Sequence, residues 1–253
     1  MAFFQMNYQS DALGMGVSVD IILPGEAQSG ASYRTLYLLH GLSDDHTTWM
    51  RRTSIERYAG EHHLAVVMPN AGRSWYTDMA TGARYLSFVA CELPDVCRGI
   101  FKGMSPRRED TFIAGNSMGG YGAFKAALTY PERFGGAASL SGTLDIADAT
   151  RNRPMNEWGG IFGFDMQSVS ELKETKHDLF ALARACQASD QPFPDMYFWC
   201  GEQDRGHAYS ERFDALLNEL GVAHCYESSP GDHSWNCWDV WIQNALRYLL
   251  GRA

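Results

Sequence analysis

Thr111-Phe112-Ile113-Ala114-Gly115-Asn116-Ser117-Met118-Gly119-Gly120-Tyr121-Gly122, continuing to Tyr130, is the stretch from which the rest of the chain can be read. Thr111 to Ala114 is a short, mostly apolar run of strand type, and Tyr121 to Tyr130 has the composition of a helix. Between them Gly115-Asn116-Ser117-Met118-Gly119 matches G-x-S-x-G. Glycine and serine are common enough that the five-residue pattern means little by itself. Its place between a strand and a helix gives it weight, because a tight turn there lifts a serine hydroxyl above the strand ends. The glycines serve that turn: the serine is held in strained backbone, and flanking side chains would collide with the neighbouring strand and helix. The helix that follows points its positive end toward charge developing at Ser117.

Outward from this junction, apolar runs of strand length recur at Thr35 to Leu39, Leu64 to Met68, Ala137 to Leu140, Met196 to Cys200 and His224 to Ser228. Their near-continuous apolar character suits strands covered on both faces, as in a parallel sheet. Val17 to Leu23 reads as a further strand, pairing with Phe3 to Ser10 as an antiparallel edge. Helical patterns lie between the runs. Tyr209, Phe213, Leu216, Leu217 and Leu220 share one face and end at Gly221, and Trp235, Trp238, Ile242, Leu246 and Leu249 do the same near the C-terminus. These Trp and Phe residues read as core. Tyr85 to Phe101 is periodic with Pro94 inside it, which predicts a kink. The alternation predicts an α/β fold: a mostly parallel, doubly wound sheet with helices on both faces. No repeat, low-complexity tract or linker appears, so residues 1–253 read as one domain.

A serine hydroxyl needs a base to take its proton. Of eight histidines, His233 stands out, because Gly231-Asp232-His233-Ser234-Trp235 joins the last strand to the last helix, on the sheet edge where Ser117 emerges. His224 falls at the start of a strand, on the opposite edge. The base in turn needs an acid to fix its tautomer and stabilise the imidazolium. Asp204, in Gly201-Glu202-Gln203-Asp204, follows the strand Met196 to Cys200 and reaches the same edge; Glu202 and Asp145 are rivals, and Asp232 adjoins His233 in sequence. An oxyanion hole needs two backbone N–H groups. Met118, after the nucleophile, supplies one, and Leu42 in His40-Gly41-Leu42-Ser43-Asp44 supplies the other. The order Ser117, Asp204, His233 is that of α/β-hydrolases.

Composition narrows the alternatives. Of 253 residues, 45% are hydrophobic and 20% charged, ordinary globular usage, which excludes disorder. A net charge of -9 repels polyanions, so nucleic acid is not an expected partner. The longest apolar runs are strand-sized, so no membrane span is expected, and the first ten residues lack the pattern of a secretory signal. The six cysteines, Cys91, Cys97, Cys186, Cys200, Cys225 and Cys237, form no Cys-x-x-Cys pair and read as scattered thiols of a cytoplasmic protein. No G-x-G-x-x-G opens a first βα unit, and Gly-Lys-Ser/Thr and His-Glu-x-x-His are absent, so neither nucleotide cofactors nor a zinc hydrolase has support.

Tyr37-Leu38-Leu39-His40-Gly41-Leu42, Gly115-Asn116-Ser117-Met118-Gly119-Gly120-Tyr121-Gly122 and Trp199-Cys200-Gly201-Glu202-Gln203-Asp204 resemble the esterase D / S-formylglutathione hydrolase family. Val67-Met68-Pro69-Asn70 with Trp75-Tyr76-Thr77-Asp78 is similar to its tributyrin-esterase branch in particular. The resemblance implies the α/β-hydrolase fold and a cytoplasmic serine carboxylesterase for short acyl esters, with Ser117, Asp204 and His233 as triad and no cofactor or metal. It raises homo-oligomerisation as an expectation. The chain departs from many S-formylglutathione hydrolases at Asn116, where they carry histidine, and in the residues after Gly41-Leu42. A thioesterase, or an acyltransferase passing the acyl group to an alcohol or sugar, would use the same machinery; a non-catalytic binding module ranks last, because every triad candidate is present. The resemblance is loosest over 143–192, which is long for a βα connection and carries Trp158 in an aromatic, Gly-rich run from Pro154 to Phe164. This insertion reads equally as a lid or acyl-pocket wall over the catalytic edge or as a surface excursion. Trp49, Trp75, Tyr76 and Trp158 are candidates for the substrate pocket.

Overall fold

The computed structural model describes residues 1–25, 31–152, 155–163 and 172–251. The hairpin β1 (Ala2–Ser10) and β2 (Met15–Leu23) is followed by β3 (Thr35–Leu39), α1 (Thr48–Arg52), α2 (Ile55–Glu61) and β4 (Ala65–Pro69). A broken helix comes next: α3 (Tyr85–Ser87), a π turn over Phe88–Glu92, and α4 (Leu93–Ile100). The kink expected at Pro94 takes the form of that π turn. Proline lacks an N–H, and here it occupies the first turn of α4, where none is needed. Strand β5 (Thr111–Asn116) runs into α5 (Met118–Thr129), then β6 (Gly136–Leu140). The long connection holds α6 (Ile146–Asn152), α7 (Trp158–Phe162) and α8 (Leu179–Gln187). The chain ends with β7 (Asp195–Gly201), α9 (His207–Glu219), β8 (His224–Ser229) and α10 (Trp235–Leu250).

All eight strands form one sheet, ordered β1-β2-β4-β3-β5-β6-β7-β8. The expected N-terminal edge is there: β1 pairs antiparallel with β2, and β2 antiparallel with β4. Every pairing from β4 to β8 is parallel. The strands bury both faces by simple alternation. Tyr37, Val67, Ile113 and Phe198 look into a core with α4, α5, α8 and α9, while Leu36, Val66, Phe112 and Tyr197 look into a second core with α1, α2 and α10. Burying residues of both alternations is what turns these strands into unbroken apolar runs.

Hydrogen bonds continue past the carboxyl ends of the parallel strands. Ser117 N–H donates to the Leu140 carbonyl (2.9 Å), Ser141 N–H to that of Trp199 (2.8 Å), and Glu202 N–H to that of Ser229 (2.9 Å). The loops after β5, β6, β7 and β8 are thereby tied to one another at the edge where ligands of such sheets bind.

Candidate active site

Ser117 caps α5 with φ 54° and ψ -115°, backbone an ordinary L-residue avoids. The turn holds because the neighbouring backbones touch. A Cβ at Gly119 would lie 2.4 Å from the Leu39 carbonyl oxygen, and one at Gly115 would lie 2.5 Å from the Gly119 carbonyl carbon. Strand β3, strand β5 and helix α5 can approach this closely only with glycine at both positions.

The three distant side chains meet. Ser117 Oγ–H donates to His233 Nε2 at 2.9 Å, and His233 Nδ1–H donates to Asp204 Oδ2 at 2.8 Å. Gly206 N–H donates to the other carboxylate oxygen, at 2.8 Å. Burial of Asp204 works to raise its carboxyl, but the hydrogen bond and charge of His233 and the Gly206 amide outweigh it and hold the group below the usual carboxylate range. Asp204 is therefore charged wherever His233 can act as a base. The rival acids lie elsewhere: Glu202 is exposed, Asp232 is exposed, and Asp145 pairs with Arg212 at 2.8 Å. His224, at the opposite end of β8, bonds Asp214.

The loop after β3 is fixed by His40, which is buried and pushed down to about 4 by that burial, so its ring is neutral. Its Nε2 accepts from Ala71 N–H (3.0 Å), which leaves Nδ1 as the protonated nitrogen that donates to the Gly41 carbonyl (2.8 Å). In a planar trans peptide the carbonyl and the next N–H point in opposite directions. Holding the Gly41 carbonyl toward His40 therefore turns Leu42 N–H to the far side, and Gly41 and Leu42 both line the cavity beside Ser117. Met118 is the first residue of α5, and its N–H has no partner within the helix.

Ser117 and His233 open into a cavity of about 800 Å³. Trp75 and Trp158 line it, with ring centroids 5.1 Å apart. Trp49 and Tyr76 do not. Trp49 is fully buried, its indole N–H donates to the Leu39 carbonyl (3.0 Å), and its ring lies behind Trp235 (4.9 Å). Tyr76 is equally buried and its hydroxyl donates to the His40 carbonyl (2.9 Å), so it braces the β3 loop from behind. Each aromatic already has its polar atom satisfied in the core, which is where such a ring is most stable. Conversely Trp235 and Trp238, read from periodicity as core, reach the wall, together with Ser141, Arg205 and Tyr209. Ser141 follows β6 directly and Arg205 lies in the loop after β7, next to Asp204, and that position at the sheet edge was the available signal. Pro154 and Phe164 of the aromatic run lie outside the described residues. Among those residues no group of side chains suits a metal, and no helix is long and apolar enough to cross a membrane.

Residues 10–249 match the model of a family described as putative esterase. An acetyl esterase of Caldicellulosiruptor saccharolyticus is 30% identical and covers 98% of each chain. An S-formylglutathione hydrolase of Paracoccus denitrificans is 30% identical over 97% of this chain and 91% of its own. Among solved structures, the substrate-bound fluorophosphonate-binding serine hydrolase F of Staphylococcus aureus is 38% identical, covers 98% of each chain and superposes with a TM-score of 0.91.

Proposed function

The chain belongs to the esterase family with an α/β-hydrolase fold, and on that premise we propose that it hydrolyses short-chain carboxylic esters through Ser117, His233 and Asp204. Ser117 Oγ attacks the ester carbonyl carbon while its proton passes to His233 Nε2. Asp204 stabilises the imidazolium, and the Leu42 and Met118 N–H groups hold the oxyanion. His233 returns the proton to the leaving alkoxide, and the alcohol departs. Water, deprotonated by the same imidazole, then releases the acid and restores Ser117. The observation that carries this reading is the unbroken line from Asp204 through His233 to Ser117, opening into a cavity. Trp75 and Trp158 form the acyl wall, and the stacked rings Trp158 and Phe162 keep it shallow. Through Thr143, Ala149 and Trp158 the insertion acts here as a wall rather than a surface excursion. No two of the six cysteines, all among the described residues, are joined as a disulfide, which suits a reducing cytoplasm.

The test is direct. Ser117→Ala should lose roughly 10⁴-fold or more in turnover of p-nitrophenyl acetate with its thermal midpoint retained, and a fluorophosphonate should label the wild type alone. Turnover surviving in the variant would remove the reading. A thioester substrate is the second reading, favoured by the S-formylglutathione hydrolase relative, and a matched pair of acetyl ester and acetyl thioester separates the two by kcat/KM.

A further inference from the structure

Ser141, directly after β6, has φ 51°, in the left-handed region where a serine is strained and a glycine would not be. The next residue is itself a glycine, Gly142. A side chain kept in such a backbone is a reason to ask what it touches. Ser141 is 1% exposed and lies in the wall of the active-site cavity. Its amide donates to the Trp199 carbonyl, which fixes it against β7. Trp238 Nε1 donates to Ser141 Oγ at 3.0 Å. The same indole stands edge-to-face with the His233 imidazole, with centroids 5.0 Å apart and planes at 87°.

The direction of these bonds follows from chemistry. An indole N–H can only donate, so the Ser141 oxygen accepts from it and the hydroxyl proton is left for another acceptor. Two lie beside it, the Cys200 thiol and the Asp204 carboxylate. The ionised carboxylate is the stronger acceptor. Turned to that carboxylate, the Ser141 hydroxyl would stand as a third donor beside Gly206 N–H and His233 Nδ1–H, which already bond Asp204.

We propose that Ser141 and Trp238 are positioning residues of this esterase: Trp238 sets the Ser141 hydroxyl, and Ser141 fixes the carboxylate that orients His233. The proposal rests on the reading of Ser117, His233 and Asp204 given above. Both residues act through Asp204 rather than on the reacting carbonyl. Hydrogen bonds to a carboxylate spread its charge, so removing the one from Ser141 leaves Asp204 more basic. The His233 imidazolium is then held more tightly and persists to higher pH.

Ser141→Ala and Ser141→Gly both delete the hydroxyl, and only the glycine relieves the backbone. With p-nitrophenyl acetate from pH 5 to 9, both should lose about tenfold to thirtyfold in kcat with KM within about twofold. In both, the acid limb of kcat/KM should move up by about half a pH unit. Trp238→Phe, which keeps an aromatic edge against His233, should follow in the same direction by less. Recovery of wild-type kcat and acid limb in Ser141→Gly would show that only strain was at stake and overturn the proposal. Loss of kcat with an unmoved acid limb in both variants would overturn it too, as a merely structural effect. Ser117→Ala runs beside them: turnover surviving there removes the serine reading and this proposal together, while an inactive Ser117→Ala beside unaffected Ser141 variants removes this proposal alone.

Discussion

A methyl group added at Gly119 would stand 2.4 Å from the Leu39 carbonyl oxygen, and one at Gly160, in the insertion across the cavity, would meet nothing closer than the Thr81 hydroxyl at 3.1 Å. The two regions face the same cavity and are built by different means. Around Ser117, backbone lies on backbone, and the position of this serine follows from contacts that no rotamer change can relax. Across from it, rings meet rings: Trp75 of the loop after β4 on Trp158, Trp158 on Phe162, Phe162 on His177, at 5.0 to 5.5 Å between centroids, with two backbone bonds, from Ala80 and Thr81 N–H to the Ile161 and Gly160 carbonyls, holding α7 to that loop. At the end of that row the buried Lys125 ammonium of α5 donates to Thr77 Oγ1 (2.7 Å) and His177 Nδ1 (3.0 Å). Ser117 is thus placed by main chain, whereas the cavity wall facing it is made of exchangeable rings.

The hardest blow to that contrast is a matched pair of alanines. Gly119→Ala should lose at least about 10³-fold in turnover and about 3 kcal/mol or more of stability, because β3 or α5 must move to admit the methyl. Gly160→Ala should stay within about 1 kcal/mol of wild type and keep its turnover, since a hydroxyl at the end of a side chain can give way and alanine favours helix. Urea midpoints and fluorophosphonate labelling rates read both. Equal damage from the two would erase the distinction between the regions.

A smaller effect sharpens it. Trp158→Ala removes the ring between Trp75 and Phe162 and deepens the acyl wall. Each further buried methylene is worth about 0.8 kcal/mol, so kcat/KM for p-nitrophenyl butyrate relative to acetate should rise about tenfold over its wild-type ratio. An unchanged ratio would mean that acyl chains lie elsewhere in the cavity.

The same contrast governs how far the sequence could be read. The elbow was legible because close backbone approach demands glycine, and glycine is visible as a letter. Ser117, Asp204 and His233 were legible as a set because each follows its own strand, and parallel strands deliver their loops to one edge. The facing of aromatics was not: Trp49 and Tyr76 give their polar atoms to the Leu39 and His40 carbonyls in the core, whereas Trp75 and Trp158 face the cavity, a tertiary fact with no local pattern. Trp235 and Trp238 sit on the apolar stripe of α10, and periodicity does not say that the first turns of that stripe overhang the cavity. Lys125 is a charged residue in α5 that is 1% exposed, because His177 and Phe162 of the insertion cover it, and no local pattern marks such burial. Ser141 carried no motif at all, and only its φ and its partners mark it.

The smallest effect at neutral pH is also the one that separates the regions by titration. Burial, then the charges of Lys125 and Lys176, push the His177 imidazole down to about 3, while burial pushes Lys125 itself down to about 7. In the unfolded chain an imidazole takes up its proton near 6.5. Between about 6.5 and about 3 the unfolded state therefore binds more protons than the folded one, and stability falls as pH falls. His177→Asn keeps an acceptor where Nδ1 lies but has nothing to titrate. The two proteins should have closely similar urea midpoints at pH 7.5, and by pH 4.5 the wild type should have lost about 1–2 kcal/mol more than the variant. Because the proton enters at the insertion, the amide-exchange protection factors of residues 172–187 of the wild type should fall on acidification before those of residues 111–124, where backbone contacts hold the elbow. A simultaneous fall would mean that the rings and the elbow open as one unit, and the division between them would not survive it.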